Sequence, residues 1–161
     1  MQYLRRIRTW LLDVPIAVEF RNGTWYDEAY KQNMFAFLKQ LKMTHVIADE
    51  AQTPTNSVPF EPVVTNPDFA MLRLHGRNMA GWQNPGAMWR KQRTLYRYNA
   101  DELQQFAATV QRLTKQAKKV AIIFNNNSGG DAADNALALQ QILGITFENL
   151  APKGPEQTSL F

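Results

Sequence analysis

The chain has 161 residues, of which 45% are hydrophobic and 20% charged, a composition typical of one globular domain and not of a disordered chain. It has no cysteine, which excludes a disulfide scaffold and a thiolate zinc site, and its net charge of +4 permits polyanionic partners. No apolar run reaches the roughly 20 residues that span a membrane, and the arginines within 1–12 argue against a secretory signal, so we expect a cytoplasmic protein without membrane contacts.

Strand-like and helix-like patterns alternate along the chain, without an internal repeat. The spacing of apolar residues predicts, in chain order, a helix over 3–12, a strand over 16–20, a helix over 27–42, strands over 45–50 and 69–75, a helix that begins after Asn99, a strand over 119–124 and a helix over 131–143. Between these elements lie a proline-rich loop over 52–68 and a polar, aromatic stretch over 76–98. Apolar strands alternating with helices predict an α/β fold with a parallel sheet.

The helix after Asn99 has the clearest local signals. Asn99 and Glu102 have the spacing of a capping box, in which each side chain accepts a hydrogen bond from the backbone N–H of the other residue. Its predicted buried face consists of Leu103, Phe106, Val110, Leu113 and Ala117. Gly144 suits the end of the last helix, where glycine readily takes the left-handed conformation.

Polar side chains gather directly after the predicted strands. They are Arg21, Asp49, Glu50, His75, Arg77, Asn125, Asn126 and Asn127. In parallel α/β folds the ligand binds at the edge where the strands end. The sequence therefore predicts a ligand site at this edge.

Four segments at these strand ends resemble a known family. They are AVEFRNGTWYDE, MLRLHGRNMAGW, LYRYNADEL and FNNNSGGDAADNALAL. Together they resemble, in order and over nearly the whole chain, the C-terminal half of the YecE-like family, also called domain of unknown function 72. The resemblance implies a TIM-barrel fold and no established activity.

The chain is short for that fold. A complete TIM barrel has eight strand–helix units and about 250 residues, whereas this sequence supplies four predicted strands. We therefore expect half of a (β/α)8 barrel over 1–150, followed by a flexible tail over 151–161, from a truncated gene, a split gene or an incomplete piece. Two exposed parallel edge strands invite pairing, so we expect a homodimer, a missing N-terminal half or an aggregation-prone monomer.

Two acidic positions are candidates for catalysis. Glu19 and Arg21 lie on one face of their predicted strand, so Glu19 is either a metal ligand or general base, or the partner of Arg21 in a structural ion pair. Asp49 and Glu50 are adjacent and must point oppositely, and we favour Asp49 as the residue that faces the site. Paired carboxylates suit a divalent metal or acid–base chemistry, and solvated loop acids are the structural alternative.

His75 is the candidate for proton transfer or metal ligation, with a purely structural histidine as the alternative. The flanking Arg73 and Arg77 could hold a phosphate between two guanidiniums together with Arg21. Asn125 and Asn126 would orient this ligand, unless the run from 125 to 130 is only a tight capped turn. A divalent metal is the candidate cofactor, and His75 would hold it together with Glu19 and Asp49.

The stretch between Asp68 and Asp101 contains no acidic residue. Its basic and aromatic side chains suit single-stranded nucleic acid, and the residues predicted to bind it are Trp82, Arg90, Lys91 and Arg93. The alternative is an ordered loop in which the aromatic side chains fill the core and the charges are solvated.

The tail carries a second resemblance. Gln157, two variable places, Leu160 and Phe161 resemble the peptide by which bacterial repair and replication proteins bind the sliding clamp. Thr158 departs from this pattern, which usually has leucine there. The alternative is that Leu160 and Phe161 pack on their own domain.

The leading hypothesis is a DNA-associated, metal-dependent phosphodiesterase or repair-linked hydrolase that the sliding clamp recruits. The second is a barrel that processes or binds carbohydrate, since paired carboxylates and tryptophans also suit sugars. The third is a non-enzymatic adaptor or an inactive half-barrel.

Overall fold

The fold is an α/β structure, and the computed structural model describes residues 1–53, 57–83 and 86–147 of it. Its strands are β1 (Ala17–Val18), β2 (Thr44–Asp49), β3 (Ala70–Leu74) and β4 (Val120–Phe124). Its α-helices are α1 (Gln2–Trp10), α2 (Lys31–Gln40), α3 (Met79–Gln83), α4 (Trp89–Arg93), α5 (Ala100–Leu113) and α6 (Asp131–Ile142), and a 3-10 helix covers Gly23–Tyr26. All strand pairs are parallel and the sheet order is β1-β2-β3-β4, which confirms the predicted α/β fold of four parallel strands alternating with helices.

The register of the sheet decides which side chains meet. Ala48 of β2 pairs with Arg73 of β3, which pairs with Ile123 of β4, so these three side chains lie on one face, here called the site face. Asp49 pairs with Leu74 one residue later, and both lie on the opposite face, here called the helix face.

The helix face carries the larger core. Leu72 and Leu74 pack there with Phe106 and Leu113 of α5 and with Leu139 of α6. The predicted buried face of α5 is confirmed, and so is the capping box of Asn99 and Glu102. Gly144 has a φ of 65°, which confirms it as the residue that ends the last helix.

A smaller core lies beneath α2, where Met34, Phe35 and Leu38 pack against Phe20 and Tyr26. The second helix begins at Lys31, four residues later than predicted, because residues 27–30 form turns that follow the 3-10 helix. The side chain of Asn22 caps the 3-10 helix by accepting a hydrogen bond of 3.0 Å from the backbone N–H of Thr24.

The stretch over 76–98 contains two short helices that the apolar pattern did not predict. Gly81 of α3 makes their close packing possible, since an added Cβ would lie 2.6 Å from the backbone nitrogen of Arg93. In α1, Leu4 and Ile7 pack on the core, whereas the large side chains of Tyr3 and Trp10 are exposed. No helix among the described residues is long and apolar enough to cross a membrane.

The tail over 151–161 lies outside the described residues, so the boundary at residue 150 stays a prediction.

His45 makes the stability of the fold depend on pH. It is buried beside Phe35, and its Nε2 lies 3.0 Å from the hydroxyl of Tyr26. Burial lowers the pKa of His45 from 6.5 to about 4. Between these values the unfolded chain binds a proton that the folded chain does not, so stability rises with pH. We expect the free energy of unfolding to fall by about 2 kcal/mol from pH 7 to pH 5 because of this group.

Urea unfolding of the chain and of His45→Gln at both pH values measures this effect. The variant should show a correspondingly smaller loss of stability on acidification. The same loss in both proteins would assign the pH dependence to other groups.

Candidate functional site

A pocket of about 700 Å³ opens at the carboxyl edge of the sheet, between the strand ends and the loops that follow β3 and β4. The side chains that line it are Glu19, Arg21, Arg73, His75, Arg90, Lys91, Arg93, Thr94, Asn125, Asn127 and Ser128. Five of these eleven are lysine or arginine, so the pocket is strongly electropositive. The location agrees with the predicted edge, and in barrels the loops after the last two strands commonly hold phosphate.

Glu19 is the carboxylate on the floor of this pocket. Its Oε1 accepts a hydrogen bond of 2.8 Å from Nη1 of Arg21, and its Oε2 forms an ion pair with Arg73. Burial alone would raise its pKa, but the hydrogen bonds from His75 and Arg73 outweigh burial and hold the pKa of Glu19 at about 2. Glu19 therefore stays ionised at neutral pH.

His75 lies between an acceptor and a donor. Its Nε2 is 3.2 Å from Oε1 of Glu19 and 3.2 Å from Nη1 of Arg21. The unprotonated nitrogen can accept from Arg21, and the protonated nitrogen can donate to Glu19, but one nitrogen cannot do both. Each protonation state of His75 thus has a partner in place, which suits proton transfer.

Glu50, not Asp49, is the second carboxylate of the site. It follows Ala48 by two residues and so lies on the site face, where it forms an ion pair with Arg21. Its side chain is 1% exposed, and Oε2 accepts the backbone N–H of Val58 at 3.0 Å. Burial raises the pKa of Glu50, while the positive charge of Arg21 opposes that shift.

Glu19, Glu50 and His75 are the residues that could hold a metal ion. One ligand atom from each lies within 4.8 Å of the others, and carboxylate and imidazole ligands suit a divalent transition metal. The guanidinium of Arg21 already contacts both carboxylates, so a cation could enter only if Arg21 moved away. As folded, the cluster is more complementary to an anion that approaches the guanidiniums.

The prediction that Asp49 and Arg77 face the site is wrong. Asp49 lies on the helix face, fully buried, and accepts two hydrogen bonds from Nε of Arg77, at 3.0 and 2.9 Å, and one from Nη2 at 2.7 Å. Arg77 also pairs with Glu102 at 3.1 Å. The predicted phosphate clamp of Arg73 and Arg77 therefore does not form, because side chains on opposite faces cannot share one ligand.

Asp49 instead fixes the backbone around His75. The backbone N–H of His75 donates to the backbone oxygen of Asp49 at 2.9 Å. The hydroxyl of Tyr98 donates to Oδ2 of Asp49 and accepts the N–H of Gly76, both at 2.8 Å. Gly76 has a φ of 94°, and a Cβ there would lie 2.8 Å from Cβ of Tyr96, so this position requires glycine.

The two asparagines that were predicted to orient the ligand lie in different surroundings. Oδ1 of Asn125 accepts from Nε of Arg73 at 3.0 Å, and Asn125 lines the pocket. Asn126 is fully buried and donates to the backbone oxygen of Tyr96 and to Asn135, so it braces a loop and the prediction that it contacts ligand is wrong.

Three of the four residues predicted to bind nucleic acid line the pocket, namely Arg90, Lys91 and Arg93. Trp82 does not, because it is 6% exposed and packs near the guanidiniums of Arg21 and Arg93 at 5.7 and 4.8 Å. A buried indole cannot stack on a ligand. The accessible tryptophan beside these cations is Trp89, which is 36% exposed. The residues predicted to bind a clamp, Gln157, Leu160 and Phe161, lie outside the described residues.

The sheet, the helices that cover it and the pocket at its carboxyl edge define a partial TIM-barrel-like α/β protein. The profile of the family described as "Protein of unknown function DUF72" matches residues 1–159, and the chain belongs to this family, which confirms the predicted YecE-like membership.

The chain is 40% identical over 153 residues to the UPF0759 protein YunF of Bacillus subtilis, which covers 94% of this chain and 54% of that protein. The crystal structure of a DUF72 family protein from Enterococcus faecalis matches with a TM-score of 0.91 and 48% identity over 96% of this chain and 56% of that one. A DUF72 family protein from Thermotoga maritima matches with a TM-score of 0.77 and 32% identity, over 89% and 51%. The chain thus spans about half the length of these relatives.

We expect the hydroxyl of Tyr98 to contribute measurably to the stability of the fold. Tyr98→Phe leaves both Asp49 and the N–H of Gly76 without this partner in a buried place, which costs about 1–3 kcal/mol. Thermal or urea unfolding measures the loss. Tyr30→Phe is the matched control, since that residue is 59% exposed. Equal effects of the two substitutions would contradict the role assigned to Tyr98.

Proposed function

We propose that this pocket binds a phosphodiester and hydrolyses it, with His75 and Glu19 as the proton-transfer pair. The observation that carries the proposal is the combination of that pair with five cationic side chains in one pocket. Substrate phosphates are anionic, so the cations supply both binding and stabilisation of the charge that develops on the phosphoryl oxygens.

Arg73 and Arg21 are the residues proposed to hold the phosphate. Arg73 contacts Asn125 through Nε and Glu19 through Nη1. A guanidinium has five N–H donors, so further donors of Arg73 can reach the oxygens of a phosphate. The contacts to protein keep each guanidinium at a defined angle before the substrate arrives.

The chemical step is hydrolysis by water. Neutral His75 accepts a proton from the water as its oxygen forms a bond to phosphorus, and the bond to the leaving oxygen breaks. Protonated Nε2 then donates a hydrogen bond to Oε1 of Glu19, 3.2 Å away, and the ionised carboxylate stabilises the imidazolium. The proton finally passes to the leaving oxygen, which balances the addition of one water and restores neutral His75.

A metal-dependent form of the same reaction is the version predicted from the sequence. The distance of 4.8 Å or less between ligand atoms of Glu19, Glu50 and His75 supports it, with Glu50 in the place that was assigned to Asp49. A divalent ion there would polarise the phosphoryl oxygen. Activity with and without added Mg²⁺ or Mn²⁺, and after treatment with a chelator, separates the two forms.

Carbohydrate processing is the second candidate function. The close carboxylates of Glu19 and Glu50 support it, and so does a neighbouring pocket of about 400 Å³ that includes the neutral polar side chains of Asn22, Thr24 and Gln52. The cations of the larger pocket favour a phosphate over a neutral sugar. A non-enzymatic adaptor is the outcome if neither activity is found.

Hydrolysis of bis(p-nitrophenyl) phosphate tests the proposal. His75→Asn and Glu19→Gln should each lower kcat by about a hundredfold or more, because each removes one half of the proton-transfer pair. Glu28→Gln is the matched control, because that carboxylate is 88% exposed and lies outside the pocket. Thermal unfolding of each variant confirms that it is folded. Absence of hydrolysis by the unaltered chain, or equal rates for Glu19→Gln and Glu28→Gln, would contradict the proposal.

Recruitment by the sliding clamp is a further proposal that would place the hydrolase on DNA. It rests on Gln157, Leu160 and Phe161 in the sequence. We expect the chain to bind an isolated bacterial clamp and the double variant Leu160→Ala/Phe161→Ala to lose that binding, because the apolar pair fills the clamp pocket. Ser159→Ala, at a variable place, is the control. Surface plasmon resonance measures the binding, and unaltered affinity of the double variant would remove the tail from the proposal.

We also propose that another chain covers the edge strands β1 and β4 of the sheet, and that this chain is either a second copy or a separate N-terminal half. On the site face, Ile123 of β4 is exposed while Val46 of the central strand β2 is buried. Exposed apolar side chains also lie beside β1, at Leu12 and Val14. Apolar surface at both ends of one sheet supports a covering partner.

A further inference from the structure

The positive charge of the pocket is distributed unevenly. Arg21 and Arg73, on the floor, are paired with the carboxylates of Glu19 and Glu50. The three cations of α4 and its end, here called the rim cations, are Arg90, Lys91 and Arg93. Within the described residues, none of the rim cations forms an ion pair with an acidic side chain. The surplus positive charge therefore lies on the rim.

The segment that carries the rim cations is held firmly. Nδ2 of Asn78 donates to the backbone oxygens of Gln92 and Leu95 at 2.9 and 3.1 Å. The guanidinium of Arg93 lies 4.8 Å from the ring of Trp82 and 4.3 Å from that of Trp89. Burial, and the like charge of Arg21, lower the pKa of Arg93. The carboxylates of Glu50 and Glu19 oppose this shift without forming an ion pair with Arg93, so the rim remains a place where a bound anion is favourable.

The loop after β4 adds neutral hydrogen-bonding groups to the same part of the pocket. Thr94 follows the last rim cation, and its hydroxyl is 2.5 Å from the hydroxyl of Ser128. Asn127, next to Ser128, is exposed and also lines the pocket. Hydroxyl and amide donors are common ligands of phosphate oxygens.

We propose that the rim cations, with Asn127 and Ser128, form a second phosphate subsite, and that the ligand of the whole pocket is a single strand of nucleic acid. This inference rests on the proposed function, in which the phosphate to be cleaved lies at Arg73 and His75. One phosphodiester carries a single negative charge, which leaves most of the charge of the rim cations unpaired. Consecutive phosphates of a nucleic-acid strand supply further charges at regular spacing.

An exposed aromatic side chain favours a single strand over a duplex. Trp89 is partly exposed and directly precedes the rim cations in the chain, with the guanidiniums of Arg93 and Arg90 at 4.3 and 5.3 Å from its ring. An unpaired base can contact such a side chain, and stacking of this kind contributes about 1–3 kcal/mol per base. A base inside a duplex is stacked between its neighbours and cannot make this contact.

Fluorescence anisotropy with a labelled oligothymidylate of about twelve nucleotides tests the inference, over a range of salt concentrations. The double variant Arg90→Gln/Lys91→Gln should bind about tenfold or more weakly. It should also make the dependence of the log binding constant on log salt concentration less steep by about 1.4, because two phosphate contacts are lost. Trp89→Ala should weaken binding about fivefold or more without a change of slope.

The matched control is Lys115→Gln/Lys119→Gln, which removes the same charge from exposed side chains outside the pocket. It should leave affinity and slope almost unchanged. Equal losses in the two double variants would show non-specific attraction by net charge and overturn the subsite. A duplex of the same length that binds as tightly as the single strand would overturn the choice of ligand. So would a heparin fragment that competes as well as unlabelled oligothymidylate at equal charge.

Binding and hydrolysis are read separately, so the two proposals can fail separately. Binding of the oligonucleotide is measured with His75→Asn, in which the proton-transfer pair is absent. Rim-dependent binding without hydrolysis of bis(p-nitrophenyl) phosphate by the unaltered chain would remove the proposed function and leave the subsite. Hydrolysis together with binding that does not depend on the rim would remove the subsite alone. Parallel titrations with oligouridylate distinguish RNA from DNA as the strand.

Discussion

Removing two carboxylates from water is the constraint on which the carboxyl edge of this protein depends. Glu19 and Glu50 face the same space from neighbouring segments, and their mutual repulsion is offset by Arg21, which contacts both. Buried charges are tolerated only when they are paired and hydrogen-bonded. Arg73 and His75 complete the pairing of Glu19 from β3, so the charges join three consecutive strand ends. The same ion pairs that stabilise this edge also define the floor of the pocket.

A second buried carboxylate follows the same rule on the other side of the sheet. Asp49 is paired with Arg77, and Arg77 with Glu102 of α5. Here the charges connect the sheet to a helix and make no contact with the pocket. Because Asp49 and Glu50 are adjacent in the chain, a single residue step in the strand separates a supporting role from a place in the site.

Local signals in the sequence predicted most of the fold, because they depend on neighbours in the chain. The capping box of Asn99 and Glu102, the apolar face of α5 and the stop at Gly144 are all set by residues within a few positions of one another. The late start of α2 was missed because residues 27–30 form turns after the 3-10 helix, although the acidic side chains of Asp27 and Glu28 also suit the first turn of a helix. The helices α3 and α4 were missed because each has only five residues, too few for a periodic pattern.

The candidate site was predicted less completely, since it depends on register between strands. Glu19, Arg21, Arg73, His75 and Asn125 were placed at the edge from their positions at strand ends, and they do line one pocket. Choosing Glu50 over Asp49 needed the pairing of Ala48 with Arg73, which a single sequence does not reveal. The alternation of Ala48 with Glu50 was visible, and combined with that pairing it would have identified the correct acid. The burial of Trp82 needed the close packing that Gly81 permits.

The ring of Tyr98 packs against Phe106 of the main core at 5.2 Å, while its hydroxyl holds the N–H of Gly76 beside His75. The aromatic core and the proton-transfer geometry are therefore mechanically linked through one rigid side chain. A change of volume at Phe106, on the far side of the sheet from the pocket, would be transmitted as a small displacement of the imidazole. Sequence drift in this core is constrained by the geometry of the pocket as well as by stability.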